Sequence, residues 1–250
     1  MHRFFVSPEY FDGDIVSLPP DVSRQLTRVL RLRPGETILV LDNTGTEYSV
    51  ELTTVDAKES RGSVVSKSAG EGEPRTRITL YQGVLKSDKF ELVLQKGTEL
   101  GVSTFVPVYS ERSGPRQRTS GNRENRHTRW EKIIPEAAEQ SGRAKLPVLA
   151  QQLTFGEACD QASGCSVIPW EEESATSLRS VIAGWANNDS NVPAIDIFIG
   201  PEGGYTSSEV DRAREKGIVP VSLGKRILRA ETAGIATVAA VLYGLGDLGG

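Results

Sequence analysis

The sequence predicts an α/β protein in two parts, a small N-terminal β-barrel and a larger α/β domain with a mainly parallel sheet. Three observations carry this. The first seventy residues break into short β-branched and aromatic runs separated by turn residues, whereas from Arg77 onward strands and helices alternate. At 250 residues, 38% of them hydrophobic and 25% charged, the chain can bury a sizeable core and falls in the range of one large domain or two small ones.

In the first part, FFVSPEYF, TILVLDNTG, EYSVELTTV and RGSVVSKS read as strands, with turn chemistry at Asn43-Thr44-Gly45 and Arg61-Gly62. One helix interrupts them, within SLPPDVSRQLTRVLRLRPGE. Asp21 or Ser23 caps it, Val22, Leu26, Val29 and Leu30 share its apolar face, and Arg33-Pro34-Gly35 ends it. Arg24, Arg28 and Arg31 then lie on the other face, as a nucleic-acid contact or as an ordinary solvated surface. GEGEPRTR, Gly70 to Arg77, reads as a linker, which gives domains of residues 1–72 and 76–250.

In the second part, ITLYQGVL is a buried strand and SDKFELVLQKGTELG a helix with Phe90, Val93, Leu94 and Gly97 on one stripe. VSTFVPVYSE is the next strand. SERSGPRQRTSGNRENRHTRW follows as a long loop carrying Arg112, Arg116, Arg118, Arg123, Arg126 and Arg129. RWEKIIPEAAEQSGR is a helix in which Pro135 marks a kink or a restart. CSVIPWEE is a strand, SLRSVIAG a short helix and NNDSNVP a loop. IDIFIG has the continuous apolar character of a central parallel strand and runs into PEGGYTSSEV, where Thr206-x-x-Glu209 is a capping box for a helix ending at Gly217. IVPVSLG is the last strand, and a helix begins near Ala230 with Ile235, Val238, Ala239 and Leu242 on one face.

The formal net charge of -4 argues against indiscriminate coating of nucleic acid. The distribution is uneven, however: residues 1–75 carry -3, residues 76–150 carry +5 and residues 151–250 carry -6. Two cysteines, Cys159 and Cys165, make no disulfide framework. With only His2 and His127, neither a Ser/His/Asp set nor a metal cluster is expected. The N-terminus is not a signal or transit peptide, and the most apolar stretch, Ala233 to Leu245, is short and interrupted by glycine, so a cytoplasmic chain without a membrane span is expected.

What remains is chemistry that needs a cosubstrate and a polar pocket. GPEGG stands at the carboxyl end of a parallel strand, where open α/β sheets bind ligands, and glycine there admits a flat ligand close to backbone groups. SLGKRILRAETA repeats the arrangement one strand later and adds Arg226 and Arg229. Glu202 and Glu231 are candidate acid/base groups, although an acid in a first helical turn is also favourable for electrostatic reasons alone.

At this point the chain resembles a family. MHRFFV, LTRVLRLRPGE, KSDKFELVLQKGTELGVSTFVPVYSERS, RWEKIIPEAAEQSGR, IFIGPEGGYTSSEV and SLGKRILRAETA are similar, in order and over essentially the whole chain, to the RsmE family of 16S ribosomal RNA (uracil-N3) methyltransferases. The resemblance implies a SPOUT α/β domain with a deep C-terminal trefoil knot, a PUA-like N-terminal barrel, a homodimer, S-adenosylmethionine as methyl donor and the 16S rRNA of the 30S subunit as partner. Ile199, Gly200, Pro201 and Gly203 match the first cofactor loop, and Leu223, Gly224, Ile227 and Leu228 the second, with Thr232 and Ala233 beyond it. Arg229, Glu231 and Thr232 match the segment beside the transferred methyl, and Glu202 joins Arg229 and Glu231 as a catalytic candidate. Arg3, Arg24, Arg28 and Arg31 match an RNA-facing barrel; Lys86, Lys89, Arg112 and Arg143 match the RNA face of the other domain, and Arg116 and Arg118 of the arginine loop are further RNA-contact candidates. Pro135 inside a helix, Gln25 where relatives often carry His, and the long arginine loop depart from the pattern.

The reaction so implied requires the uracil to be exposed, its N3 proton to be removed, and N3 to attack a sulfonium methyl in line. Arg229 is the expected cation for charge developing on the ring carbonyls, with Glu231 or Glu202 as proton acceptor. Two alternatives stay open: another SPOUT enzyme acting on ribose 2′-O or another base of tRNA or 23S rRNA, and a noncatalytic RNA-binding protein of ribosome assembly.

Overall fold

The structure, a computed structural model, describes residues 1–86, 88–114, 121–162, 164–186 and 194–249. It divides into two compact units, Met1–Glu73 with Pro135–Leu146, and Pro74–Ile134 with Pro147–Gly250. The expected division at the Gly70–Arg77 linker has no return of the chain to the first unit. Residues 135–146 make that return, and the exchange falls at Pro135 inside a helix.

The first unit is a curled six-stranded sheet. Its strands are β1 (Arg3–Phe5), β2 (Phe11–Asp12), β3 (Ile15–Leu18), β4 (Thr37–Leu41), β5 (Thr46–Thr54) and β6 (Ser60–Ala69), hydrogen-bonded in the order β1-β4-β5-β6-β3-β2. The run FFVSPEYF becomes two short strands because Pro8 opens a 3-10 turn, Pro8–Tyr10, between them. Alternation puts Phe4, Val16, Leu18, Ile38, Val40, Val50 and Leu52 into one core.

The basic helix differs from its expected form. α1 (Pro20–Arg24) starts from Pro19 with no side-chain cap, and it widens into a π-helical turn over Gln25–Leu30 that Arg31 closes at φ 55. The wider turn rotates Val29 off the apolar face, to 71% exposure, while Val22 and Leu26 stay buried. Ser23 does not cap the helix. Its hydroxyl donates to Leu18 O at 3.0 Å and accepts from Ser60 N at 2.8 Å, tying the helix to β3 and β6.

Residues 135–146 are bound into this unit by polar contacts. Phe5 N–H donates to Glu139, whose carboxyl burial pushes up, and Arg143 pairs with Glu73 at 2.8 Å. Gly72 lies so close to the Gly142 carbonyl that a Cβ would meet it at 2.4 Å. The stretch read as a linker is therefore packed rather than free.

The second unit is an all-parallel sheet between helices. Its strands are β7 (Ile78–Gly83), β8 (Thr104–Tyr109), β9 (Val148–Leu149), β10 (Leu153–Thr154), β11 (Cys165–Pro169), β12 (Ile195–Ile199) and β13 (Val219–Val221), in the order β10-β8-β7-β12-β11-β13 with β9 also on β8. The helices are α2 (Lys89–Leu100), α3 (Gly121–Ser141), α4 (Phe155–Gln161), α5 (Leu178–Ala186), α6 (Ser207–Glu215) and α7 (Ala230–Gly244). β12 is buried at every position, as its unbroken apolar run requires of a central strand. Phe198 from it stacks on Tyr81 of β7 at 4.3 Å, above a core shared with Phe155, Tyr205 and Val210; burial pushes the Tyr81 hydroxyl up to about 12.

Three features differ from the sequence reading here. The arginine loop is shorter than expected, because α3 already runs from Gly121; Arg129 on it pairs with Glu91 at 2.8 Å. Arg116 and Arg118 lie outside the described residues. β9, β10 and α4 went unread, although Thr154 and Glu157 form a second capping box that announces α4. On α7 the buried positions are Glu231, Gly234, Thr237, Val238, Val241 and Leu242, so Ile235 and Ala239 stand at the margin rather than the centre of its packed side. No helix among the described residues is long and apolar enough to cross a membrane.

Candidate active site

β12, β11 and β13 are neighbours in the sheet, so the segments leaving their carboxyl ends converge. They enclose a cavity of about 880 Å³. The segment after β12 lines it from Ile199 through Tyr205, and the segment after β13 from Ser222 through Ala230, with Glu231 and Ala233 from α7. A third wall comes from β11 and beyond it: Pro169, Trp170, Glu171, Glu173 and Ser174.

Two glycines shape the first loop, one by close approach from β7 and one by a left-handed turn within the loop. Gly83, ending β7, sits so near that loop that a Cβ would lie 2.4 Å from Pro201 N and 2.7 Å from Gly200 C. Gly204 has φ +67, donates its N–H to Pro201 O at 2.9 Å, and leads into the expected capping box, Thr206 with Glu209. The free oxygen of that box is used as well, since Glu209 Oε1 accepts from Glu111 N at 2.8 Å. Tyr205 is fully buried, which raises its hydroxyl well above its ordinary value, and neither a donor nor an acceptor faces that oxygen among the described residues.

The third wall was missed from sequence, where WEE was read only as the end of a strand. Trp170 N–H donates to Val221 O at 3.1 Å, which pins this segment to the last strand. Backbone N–H groups of Thr176 and Ala175 hold the Glu173 carboxyl below its ordinary range. The available signal was an acidic run just past a parallel strand, but nothing in the sequence said that β11 would neighbour both glycine loops.

Among the expected catalytic and cofactor residues, Ile199, Gly200, Pro201, Glu202, Gly203, Leu223, Gly224, Ile227, Leu228, Arg229, Glu231 and Ala233 all line this cavity; Thr232 is exposed on α7 and does not. The carboxylates are not equivalent. Glu202 is exposed and accepts from Lys86 N at 2.9 Å. Glu231 is 8% exposed; Lys89 Nζ lies 3.4 Å from its Oε1, and its Oε2 has no hydrogen-bond partner among the described residues. Arg229 is exposed at the residue that opens α7.

The residues expected on RNA separate into two groups. Arg24, Arg28, Arg31 and Lys86 are exposed. Four others are committed within the fold: Arg3 pairs with Glu47, Lys89 with Glu231, Arg112 donates to the carbonyls of Gly203 and Tyr205, and Arg143 is 3% exposed against Glu73. Arg143 is thus an internal clip rather than a surface cation, because its guanidinium is needed to neutralise a carboxylate that also accepts from Ala144 and Lys145 N–H.

Comparison with known proteins gives the chain a family. Residues 72–242 match the RNA methyltransferase domain family and residues 19–64 the RNA methyltransferase PUA domain. A ribosomal RNA small subunit methyltransferase E of Synechocystis sp. is 36% identical over 243 residues, covering 96% of this chain and 77% of the relative. The protein of the same description from Bacillus subtilis is 29% identical, covering 97% of this chain and 96% of the relative. Among solved structures, a ribosomal RNA small subunit methyltransferase E from Neisseria gonorrhoeae bound to S-adenosyl methionine superposes with a TM-score of 0.85 at 33% identity, covering 97% of both chains. By these matches the chain belongs to the ribosomal RNA small subunit methyltransferase E family of RNA methyltransferases.

Proposed function

We propose that this chain methylates N3 of one uridine in 16S rRNA, with S-adenosylmethionine as methyl donor and the assembled 30S subunit as substrate. The observation that carries the reading is the juxtaposition, in one cavity, of two glycine-bearing loops with Glu231 and Arg229. The residues fit the donor. The cavity's volume of about 880 Å³ lies in the roughly 300–1,000 Å³ range of small-molecule sites. Main-chain groups of residues 199–205 and 222–228 suit a purine and ribose, and the Glu171 and Glu173 wall suits the ammonium of the zwitterionic amino-acid end. S-adenosylmethionine, when bound, supplies a methyl carbon made electrophilic by its sulfonium sulfur.

The chain's own residues do the rest. Arg229 supplies positive charge where the uracil carbonyls gain electron density as N3 loses its proton. Glu231 is better supported than Glu202 as proton acceptor, since its buried Oε2 has no hydrogen-bond partner among the described residues, whereas a Glu202 oxygen already accepts from Lys86 N. Arg24, Arg28, Arg31 and Lys86 supply exposed cations for RNA.

A homodimer, a cytoplasmic location and a deep trefoil knot belong to the same reading. The knot is supported by the path of the last elements: β13 joins the sheet beyond β11, and the chain then returns in α7 to pack against α2, β7 and β12. Methylation of isolated 30S subunits, with naked 16S rRNA alongside and mapping of the modified base, tests the function. N3-methyluridine at one position, formed faster on the particle, is expected. A 2′-O-methylated product or one in tRNA or 23S rRNA overturns it.

A further inference from the structure

Lys89 was expected among the RNA contacts, yet its ammonium is turned onto the buried carboxylate of Glu231 at 3.4 Å, and both residues line the cavity. Lys89 opens α2 and Glu231 lies in the first turn of α7, two helices that pack against each other, so their backbones fix the pair. Glu231 Oε2 makes no hydrogen bond among the described residues. A buried carboxylate with one oxygen unsatisfied is costly unless a cation offsets it. The other charged residues lining the cavity are Glu171 and Glu173 before α5, Glu202 before α6, and Lys225, Arg226 and Arg229 before α7; α2 contributes Lys89, and β7 contributes none. Lys89 Nζ alone among the cavity's cations forms an ion pair with the carboxylate.

We propose that Lys89 is the positioning residue for Glu231: it holds Oε1, fixes the carboxylate at the cavity wall, and leaves Oε2 to meet the N3–H of the substrate base. The inference rests on the uracil-N3 reading. In the step it serves, the N3–H proton passes to the Glu231 carboxylate and the N3 electron pair bonds to the methyl carbon. The bond from that carbon to sulfur breaks with its electrons on sulfur. The products are N3-methyluridine, a neutral thioether and a protonated Glu231, which returns its proton to water.

The test is kcat and KM for single-site methylation of 30S subunits by wild type, Lys89→Met, Lys89→Gln and Lys89→Arg, with thermal unfolding as the check on folding. Without the ammonium the carboxylate is no longer held at the cavity wall, so kcat falls roughly tenfold in both neutral variants. Lys89→Arg restores kcat, and KM for the subunit changes little in any variant. If the neutral variants instead raise KM and flatten the salt dependence of binding while kcat is unchanged, Lys89 is an RNA contact and the proposal is overturned. Product analysis of wild type separates the two failures. A wild-type product other than N3-methyluridine overturns the functional reading and this proposal together, whereas N3-methyluridine with an unchanged kcat in the neutral variants overturns the role of Lys89 alone. If Lys89→Met does not fold, Lys89→Gln and Lys89→Arg decide by the same readouts.

Discussion

The Arg112 guanidinium donates to the Gly203 carbonyl at 2.8 Å and lies 3.4 Å from that of Tyr205, so it braces the loop that follows β12. A charged hydrogen bond at an exposed site stabilises by about 1 kcal/mol once screening is counted. Arg112→Ala should therefore weaken S-adenosylmethionine binding roughly fivefold, with Arg112→Lys between it and wild type, as read by calorimetry. An unchanged cofactor Kd together with weaker 30S binding would return Arg112 to the RNA face.

Arg143 tests the distinction between a surface cation and an internal clip. Its side chain is 3% exposed and bonds Glu73 through two nitrogens, at 2.8 and 3.2 Å. Removing Arg143 leaves the half-buried Glu73 carboxylate without its cation and costs roughly 1–3 kcal/mol, whereas replacing both with apolar groups costs much less. Urea denaturation should show Arg143→Ala far less stable than the double variant Arg143→Met/Glu73→Leu. A single variant as stable as wild type but defective in RNA binding would contradict the clip.

Acid stability should report on Asp247. Burial raises its carboxyl, but hydrogen bonds from Thr76 and Arg75 outweigh burial and hold it below the ordinary aspartate value of 3.8. A carboxyl depressed in the folded state contributes stability that is present above 3.8 and is lost as pH falls through the folded value. Asp247→Asn should cost about 1–3 kcal/mol at neutral pH and flatten the acid arm of stability against pH. An acid arm identical to wild type in denaturant titrations would remove Asp247 from it.

Much of this site was legible because its residues are contiguous. GPEGG and LGKRILRAE each sit at one strand end, and periodicity together with the Thr206–Glu209 capping box locates those ends. The third wall was not legible, since Trp170 and Glu171 reach the cavity only through the order β12-β11-β13, which local pattern does not encode. The same limit explains Lys89, Arg112 and Arg143: each carries a charge that suits RNA, and each has a partner distant in sequence. The π-helical turn escaped for a different reason. Gln25–Leu30 keeps a helical apolar period, and only the burial demanded by the neighbouring sheet, with Val29 turned out and Leu26 kept in, widens it.

Gly83 and Gly184 give a paired test of how the cavity is built. Alanine at Gly83 would put a Cβ 2.4 Å from Pro201 N and 2.7 Å from Gly200 C, both backbone atoms of the loop after β12 with no rotamer through which to yield. Either β7 or the loop must shift, and overpacking of this kind costs roughly 1–3 kcal/mol or more. Gly184 lies in α5 with nothing within 4 Å of the added methyl, so alanine there should stabilise by up to about 1 kcal/mol through helix propensity. Gly83→Ala should thus lose S-adenosylmethionine binding by more than its lowered melting temperature explains, because the displaced loop is a cavity wall, while Gly184→Ala should bind normally and melt higher. Equal cofactor affinity in both variants would mean that the loop after β12 tolerates displacement, and that the close approach of Gly83 serves only the packing of the sheet.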